Sequence, residues 1–145
     1  MGTITDVAAH IRQIWSSSAF MNVLKINIDE IHCGGATVSM PIDFDLHTNH
    51  WLGVHGGALA ALADAVMGIT GASVGEVVQT LSFNINFIGN LPGTGTAIVK
   101  SQVKHHGQTT MVIMAEMTDE QNNLLAAITT TMFIAGHFNE IPREW

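Results

Sequence analysis

One cysteine, Cys33, is all the thiol that this chain of 145 residues carries. No disulfide can form within it, and a reduced, cytoplasmic setting is the expectation. Basic residues are almost as scarce. Five Lys and Arg stand against twelve Asp and Glu, a net charge of −7. With so few cations, binding to nucleic acid is not expected. Charged residues of both signs are 12% of the chain, against 47% hydrophobic. In a single small domain that balance leaves apolar surface to cover, which points to an oligomer.

Other absences narrow the field further. The N-terminus has no basic stretch running into an apolar core, so no signal peptide is expected. Residues 51–72 are apolar enough to suggest a membrane span, but His55, Asp64 and the repeated glycines argue against it. No repeat, low-complexity segment or second domain is visible, and the length suits one domain, 1–145. Gly-x-Ser-x-Gly does not occur. Cys33 falls in a turn region, so no serine or cysteine nucleophile is indicated.

What the chain does have is concentrated in residues 49–70. Asn49-His50-Trp51-Leu52-Gly53-Val54-His55-Gly56-Gly57 is a loop by its glycines. Behind it runs a stretch of Ala and Leu, with Leu59, Leu62, Val66 and Ile69 at helical spacing. The spacing predicts a buried helix. Asp64 interrupts it, with no basic residue within four positions. A buried carboxylate without a partner is costly. Asp64 is therefore either on the helix's one wet edge or a catalytic acid or base at the edge of a pocket. The helix start is a second candidate. The first N–H groups of a helix lack internal partners and carry partial positive charge. Glycines there leave such donors open to a carbonyl or oxyanion, or they simply make a tight turn.

The remaining chain reads as an α+β domain. Ile4, Val7, Ala8, Ile11 and Trp15 predict an amphipathic helix over 4–15, a packing lid within an N-terminal segment 1–20. Alternation over 22–31 predicts a strand, paired through Gly34-Gly35 with a second over 36–42. Strands follow at about 78–88, 95–105, 109–119 and 124–135, with short separators that make consecutive strands antiparallel neighbours. The tail, 136–145, is expected to be a loose end. An antiparallel sheet of about six strands would bury one face on the long helix. His47, His50 and His55, with Asp43 and Asp45, invite a metal, but their spacing matches no zinc motif, and neither metal nor cofactor is expected. Lys100, Lys104, His105 and His106 cluster on one strand and its turn. They could meet the phosphates of a nucleotide carrier, or be solvated charges that keep an edge from aggregating.

Asn49, the run His55-Gly56-Gly57, Asp64 nine positions after His55, and Thr80 opening Thr-Leu-Ser-Phe-Asn-Ile-Asn-Phe together form a pattern. It resembles the hotdog-fold thioesterases, in the branch of phenylacetic-acid-type and mammalian acyl-CoA thioesterases, over about residues 20–135. The resemblance implies a hotdog fold and hydrolysis of an acyl-CoA or acyl-carrier thioester. It gives Asp64 the part of base or nucleophile and the Gly56 N–H that of polarising the carbonyl. Asn49 and Thr80 would hold water or carbonyl. His55 itself reads as part of the loop's hydrogen-bond frame or the pocket wall, and His55 and Gly57 are expected in the substrate-binding site. The resemblance also implies dimers, commonly paired into tetramers. The sequence departs from the pattern at Gly89-Asn90-Leu91-Pro92, where many relatives place Arg or Lys before the proline.

Spacing adds a constraint of its own. Gly56 and Asp64 are eight residues apart on one helix, so about 12 Å separates them. One carbonyl cannot meet both, and a working site would need Gly56 from one subunit and Asp64 from another. A non-catalytic acyl-thioester binding module on the same fold is the alternative from another class. A dehydratase acting on a hydroxyacyl thioester is a third possibility.

Overall fold

The computed structural model describes residues 4–145; the first three residues of the expected N-terminal segment lie outside them. Helix α1, Val7–Trp15, is capped by the Asp6 side chain accepting from the Ala9 N–H, and buries Val7 and Ile11. A second helix, α2, covers Ala19–Leu24. There the sequence pattern had predicted a strand from residue 22. The alternation of Leu24, Ile26 and Ile28 is real, but Lys25 adopts a left-handed conformation (φ 61°) that ends α2 and turns the chain. Strand β1, Asn27–His32, starts only after that turn. It forms the expected hairpin with β2, Gly35–Pro41.

A short helix, α3, Phe44–His47, leads to the long helix α4, Gly56–Ala72. The remaining strands are β3, Glu76–Phe87; β4, Thr96–His106; β5, Thr110–Thr118; and β6, Leu124–His137. All six join one antiparallel sheet in the order β1-β2-β4-β5-β6-β3. The sheet wraps α4, whose Leu59, Leu62, Val66, Met67 and Ile69 are almost fully buried. This is a hotdog arrangement. Facing residues of the sheet include Val38, Val99, Ile113, Met117 and Ile128, all in one core with the helix. Inside that core the Thr70 and Ser101 hydroxyls lie 2.6 Å apart, tying α4 to β4. A Cβ at Gly71 would come within 2.6 Å of Val78, so a glycine lets helix and β3 approach this closely.

Two expectations are corrected. Strands β3 and β4 follow each other but do not pair: β3 lies at an edge beside β6, and β4 lies beside β2. The segment between them, 88–95, is too long for a tight hairpin. It reaches instead to the loop before α4, where Gly53 bridges Pro92. The C-terminal tail is not loose. Ile141 is buried, the Trp145 indole N–H donates to the Ser73 carbonyl at 2.8 Å, and Arg143 reaches Glu76. Apolar Phe138, Ile141 and Trp145 pull these residues onto the body, a signal hidden by the absence of periodicity.

Candidate active site

Local hydrogen bonds build the loop before α4. Asn49 Oδ1 accepts from the N–H groups of Trp51 (2.9 Å) and Gly53 (3.2 Å), while its backbone N–H donates to the Gly53 carbonyl. The side chain thus folds the turn 49–53 around its own oxygen. His47, fully buried, accepts from the Asp43 N–H through Nδ1 at 2.9 Å, and its Nε2 meets the Leu24 carbonyl at 2.8 Å. Both nitrogens are engaged in framing the loop, which is why the histidines here do not converge. Among the described residues no group of three His, Cys, Asp or Glu could hold a metal ion. Asp43 caps α3 and accepts from Lys25 Nζ at 2.6 Å, and that hydrogen bond holds its carboxyl below the usual value of 3.8. Asn90, in the departure noted above, donates to the Val54 carbonyl at 3.0 Å and steadies the strand of chain that enters α4.

His55 is the N-cap of α4: its Nδ1 accepts from the Gly57 N–H at 2.8 Å. The Gly57 N–H is therefore already engaged within the chain. Gly56 makes no hydrogen bond through its N–H to any described residue. A Cβ on Gly56 would stand 3.4 Å from the Phe87 ring, so an aromatic plane lies beside this donor.

Asp64 is exposed, not buried, in the single chain. The reason is the composition of α4. Gly57, Ala60, Ala61, Asp64, Ala65 and Gly68 form a side of small residues that the chain's own strands leave uncovered. From the neighbouring edge strand the Thr80 hydroxyl donates to Asp64 Oδ1 at 2.8 Å. Sequence separation of sixteen is bridged because β3 turns back along α4. Asp64 and Thr80 share the wall of a cavity of about 220 Å³, together with Trp15, Phe20, Met21 and Gly68. Sequence analysis placed the first two in the site and missed the other four. Their only signal was Trp15 at the end of an amphipathic helix, followed by Phe20 and Met21 just before the predicted strand.

The remaining candidates lie elsewhere. Lys100 pairs in register with Glu116, and Lys104 donates to Gln102 at 3.1 Å. Both line a groove of about 380 Å³ that runs beside Met114 and Thr129 and does not include Asp64. His106 Nε2 lies 2.8 Å from Glu76 Oε1, in a cluster with His137 and Arg143 around that buried carboxylate. Within one chain, then, the structure joins Asp64 to Thr80 and Asn49 to the α4 start, and leaves Lys100, Lys104 and His106 apart from both.

A carboxylate oriented by a hydroxyl, on the open side of a glycine-started helix, is equipped to take a proton from water or attack a carbonyl. The thioesterase superfamily matches residues 53–126, just over half of the chain. The chain belongs to that superfamily. Thioester hydrolysis is thus its general reaction class. A Thermoplasma acidophilum protein with a provisional esterase name is 25% identical to this thioesterase-superfamily chain over 126 residues, 86% of this chain and 94% of that protein. Among solved structures, the Escherichia coli PaaI protein of the phenylacetic acid degradation operon matches with a TM-score of 0.83 at 24% identity, covering 91% of this chain and 98% of that one. A Streptococcus pneumoniae thioesterase solved with coenzyme A matches at 0.79 and 24%, covering 87% and 98%. That Streptococcus protein was also solved as two alanine variants, of an aspartate and of a threonine sixteen positions later. Sixteen is also the separation of Asp64 and Thr80.

Proposed function

We propose that this chain hydrolyses acyl-CoA thioesters to a free acid and a thiol, in a site shared by two copies. The Asp64–Thr80 hydrogen bond carries the proposal, because it fixes a carboxylate where a reacting group can approach. Asp64 takes a proton from water as the water oxygen bonds to the thioester carbonyl carbon. The N–H of Gly56 from the second copy receives the developing oxyanion, with Asn49 of that same copy shaping the loop. The C–S bond then breaks, the sulfur leaves with the proton held by Asp64, and acid and thiol are the products. The coenzyme A bound to the Streptococcus pneumoniae relative supports this carrier.

The edge strand supports the pairing of copies. Strand β3 ends the sheet and runs from Val77 to Phe87 without charge or proline, exposing Leu81 and Phe87. A long edge without charge or proline is open to pairing with another chain. Pairing two β3 edges antiparallel would bring the uncovered sides of two α4 helices together, Asp64 of one toward Gly56 of the other. No helix among the described residues is long and apolar enough to cross a membrane. We propose a homodimer as the active unit, pairing further into a homotetramer.

The test is release of free thiol from a panel of acyl-CoAs. Asp64→Asn keeps an oxygen to accept from Thr80 but cannot take a proton. It is expected to lower kcat at least about a hundredfold with the fold intact by circular dichroism. Near-normal turnover by that variant would remove Asp64 from the reaction. A wild-type chain that binds acyl-CoA and releases no thiol from any of the panel is the binding module instead.

A further inference from the structure

The half-open cavity beside Asp64 is bounded on one side by Trp15. Gly68 lies four residues after Asp64, one turn further along α4 and about 6 Å along its axis. There the Trp15 indole lies against the helix: a Cβ at Gly68 would stand 3.2 Å from Trp15 Cζ2. Trp15 is carried by an anchored helix. Helix α1 is anchored by buried Val7 and Ile11, and the Arg12 guanidinium donates to the carbonyls of Ile28 and Asp29. The far side of the indole packs on Phe138, with ring centroids 6.3 Å apart. From α2, Met21 supplies a buried wall, while Phe20 leaves 62% of its surface exposed at the rim. The lining mixes polar surface, including Asp64, Thr80 and Ser18, with the apolar side chains of Trp15, Phe20, Met21, Val78 and Met132.

We propose that this cavity receives the acyl group, and that the contact of Trp15 with Gly68 sets an upper limit on acyl size. The inference rests on the thioesterase reading above and deepens it. The volume, about 220 Å³ in the single chain, gives the scale. A dry cavity of about 150 Å³ holds benzene. There is room here for one ring, or for about six carbons of a straight chain, and little more. The N-terminal helices, the least chemical part of the sequence, are then the part that selects the substrate. An acyl group that fills the cavity covers apolar wall in proportion to its length, and one that overruns it must displace an anchored indole.

Two variants and one series of straight-chain acyl-CoAs, acetyl to palmitoyl, test this. In the wild type, kcat/KM is expected to rise roughly fourfold per methylene up to about six carbons. It should then fall, at least about fivefold below hexanoyl by dodecanoyl, as overpacking sets in. Trp15→Ala removes the stop and should move the optimum toward octanoyl or decanoyl. Gly68→Ala, which favours helix and so folds, pushes a methyl against the indole and should move the optimum toward butanoyl. A wild-type preference for palmitoyl would overturn the proposal. So would thiol release with an unchanged chain-length profile in both variants, which leaves the thioesterase reading standing. No thiol release from any member would sink that reading first and this one with it.

Discussion

Thr80→Val replaces a hydroxyl by a methyl on the same branched carbon, in a strand that suits either residue. What it removes is the 2.8 Å hydrogen bond to Asp64 Oδ1. A hydrogen bond to a charged group contributes about 1.5–3 kcal/mol. Taking the lower end as a floor, 1.4 kcal/mol is a factor of ten in rate. A fall in kcat of roughly tenfold is expected, with KM within about twofold, because Thr80 orients the carboxylate without holding the carrier. Thr80→Ser keeps the donor and should recover most of kcat. The melting temperature of either variant should move by less than about 2 °C, as for other surface changes. Thiol release under saturating acyl-CoA measures the effect. A Thr80→Val variant within twofold of wild-type kcat, or a Thr80→Ser variant as slow as Thr80→Val, would refute the orienting role.

Two further predictions concern the frame around the site. His55→Ala removes the acceptor for the Gly57 N–H and should lower stability by about 1 kcal/mol, or 2–4 °C in melting temperature; His55→Ser, also a capping residue, should restore it. Asp43 has its carboxyl held low, chiefly by the Lys25 hydrogen bond. A group lowered in the folded state stabilises fully above its ordinary value of 3.8 and loses that contribution as pH falls through the lower, folded value. Protection of the α3 amides, relative to the unfolded-chain exchange rate at the same pH, should therefore fall below about pH 4 in the wild type, and Lys25→Met should show lower protection already at neutral pH and a weaker acid dependence.

Much of the fold could be read from residue patterns because each element obeys its own period. The Ala- and Leu-rich run with Leu59, Leu62 and Val66 reads as a buried helix, and β4 and β5 alternate over most of their length. Lys25 was different. Its left-handed turn has no glycine to announce it, so α2 and β1 merged into one apparent strand. Strand order was also hidden, because β3 chooses β6 over its neighbour β4 through contacts remote in sequence. At the site, Asp64 stood out as a lone charge in an apolar helix, and Thr80 by resemblance. The walls from Trp15, Phe20 and Met21 did not, since their convergence on Gly68 depends on how α1 and α2 fold over α4.

The claim that everything else depends on is that Asp64 of one copy works with the helix start of another. Asn49→Ala and Asp64→Ala, each prepared alone, should be impaired at every site. The two are then unfolded and refolded together, with differently tagged chains to confirm exchange, and thiol release is measured. If copies share the site, each mixed dimer holds one intact site and one doubly defective site. Random pairing makes half the dimers mixed, so about a quarter of all sites should recover. If the site lies within one chain, every site keeps a defect, and confirmed exchange with no recovery of activity would contradict the account.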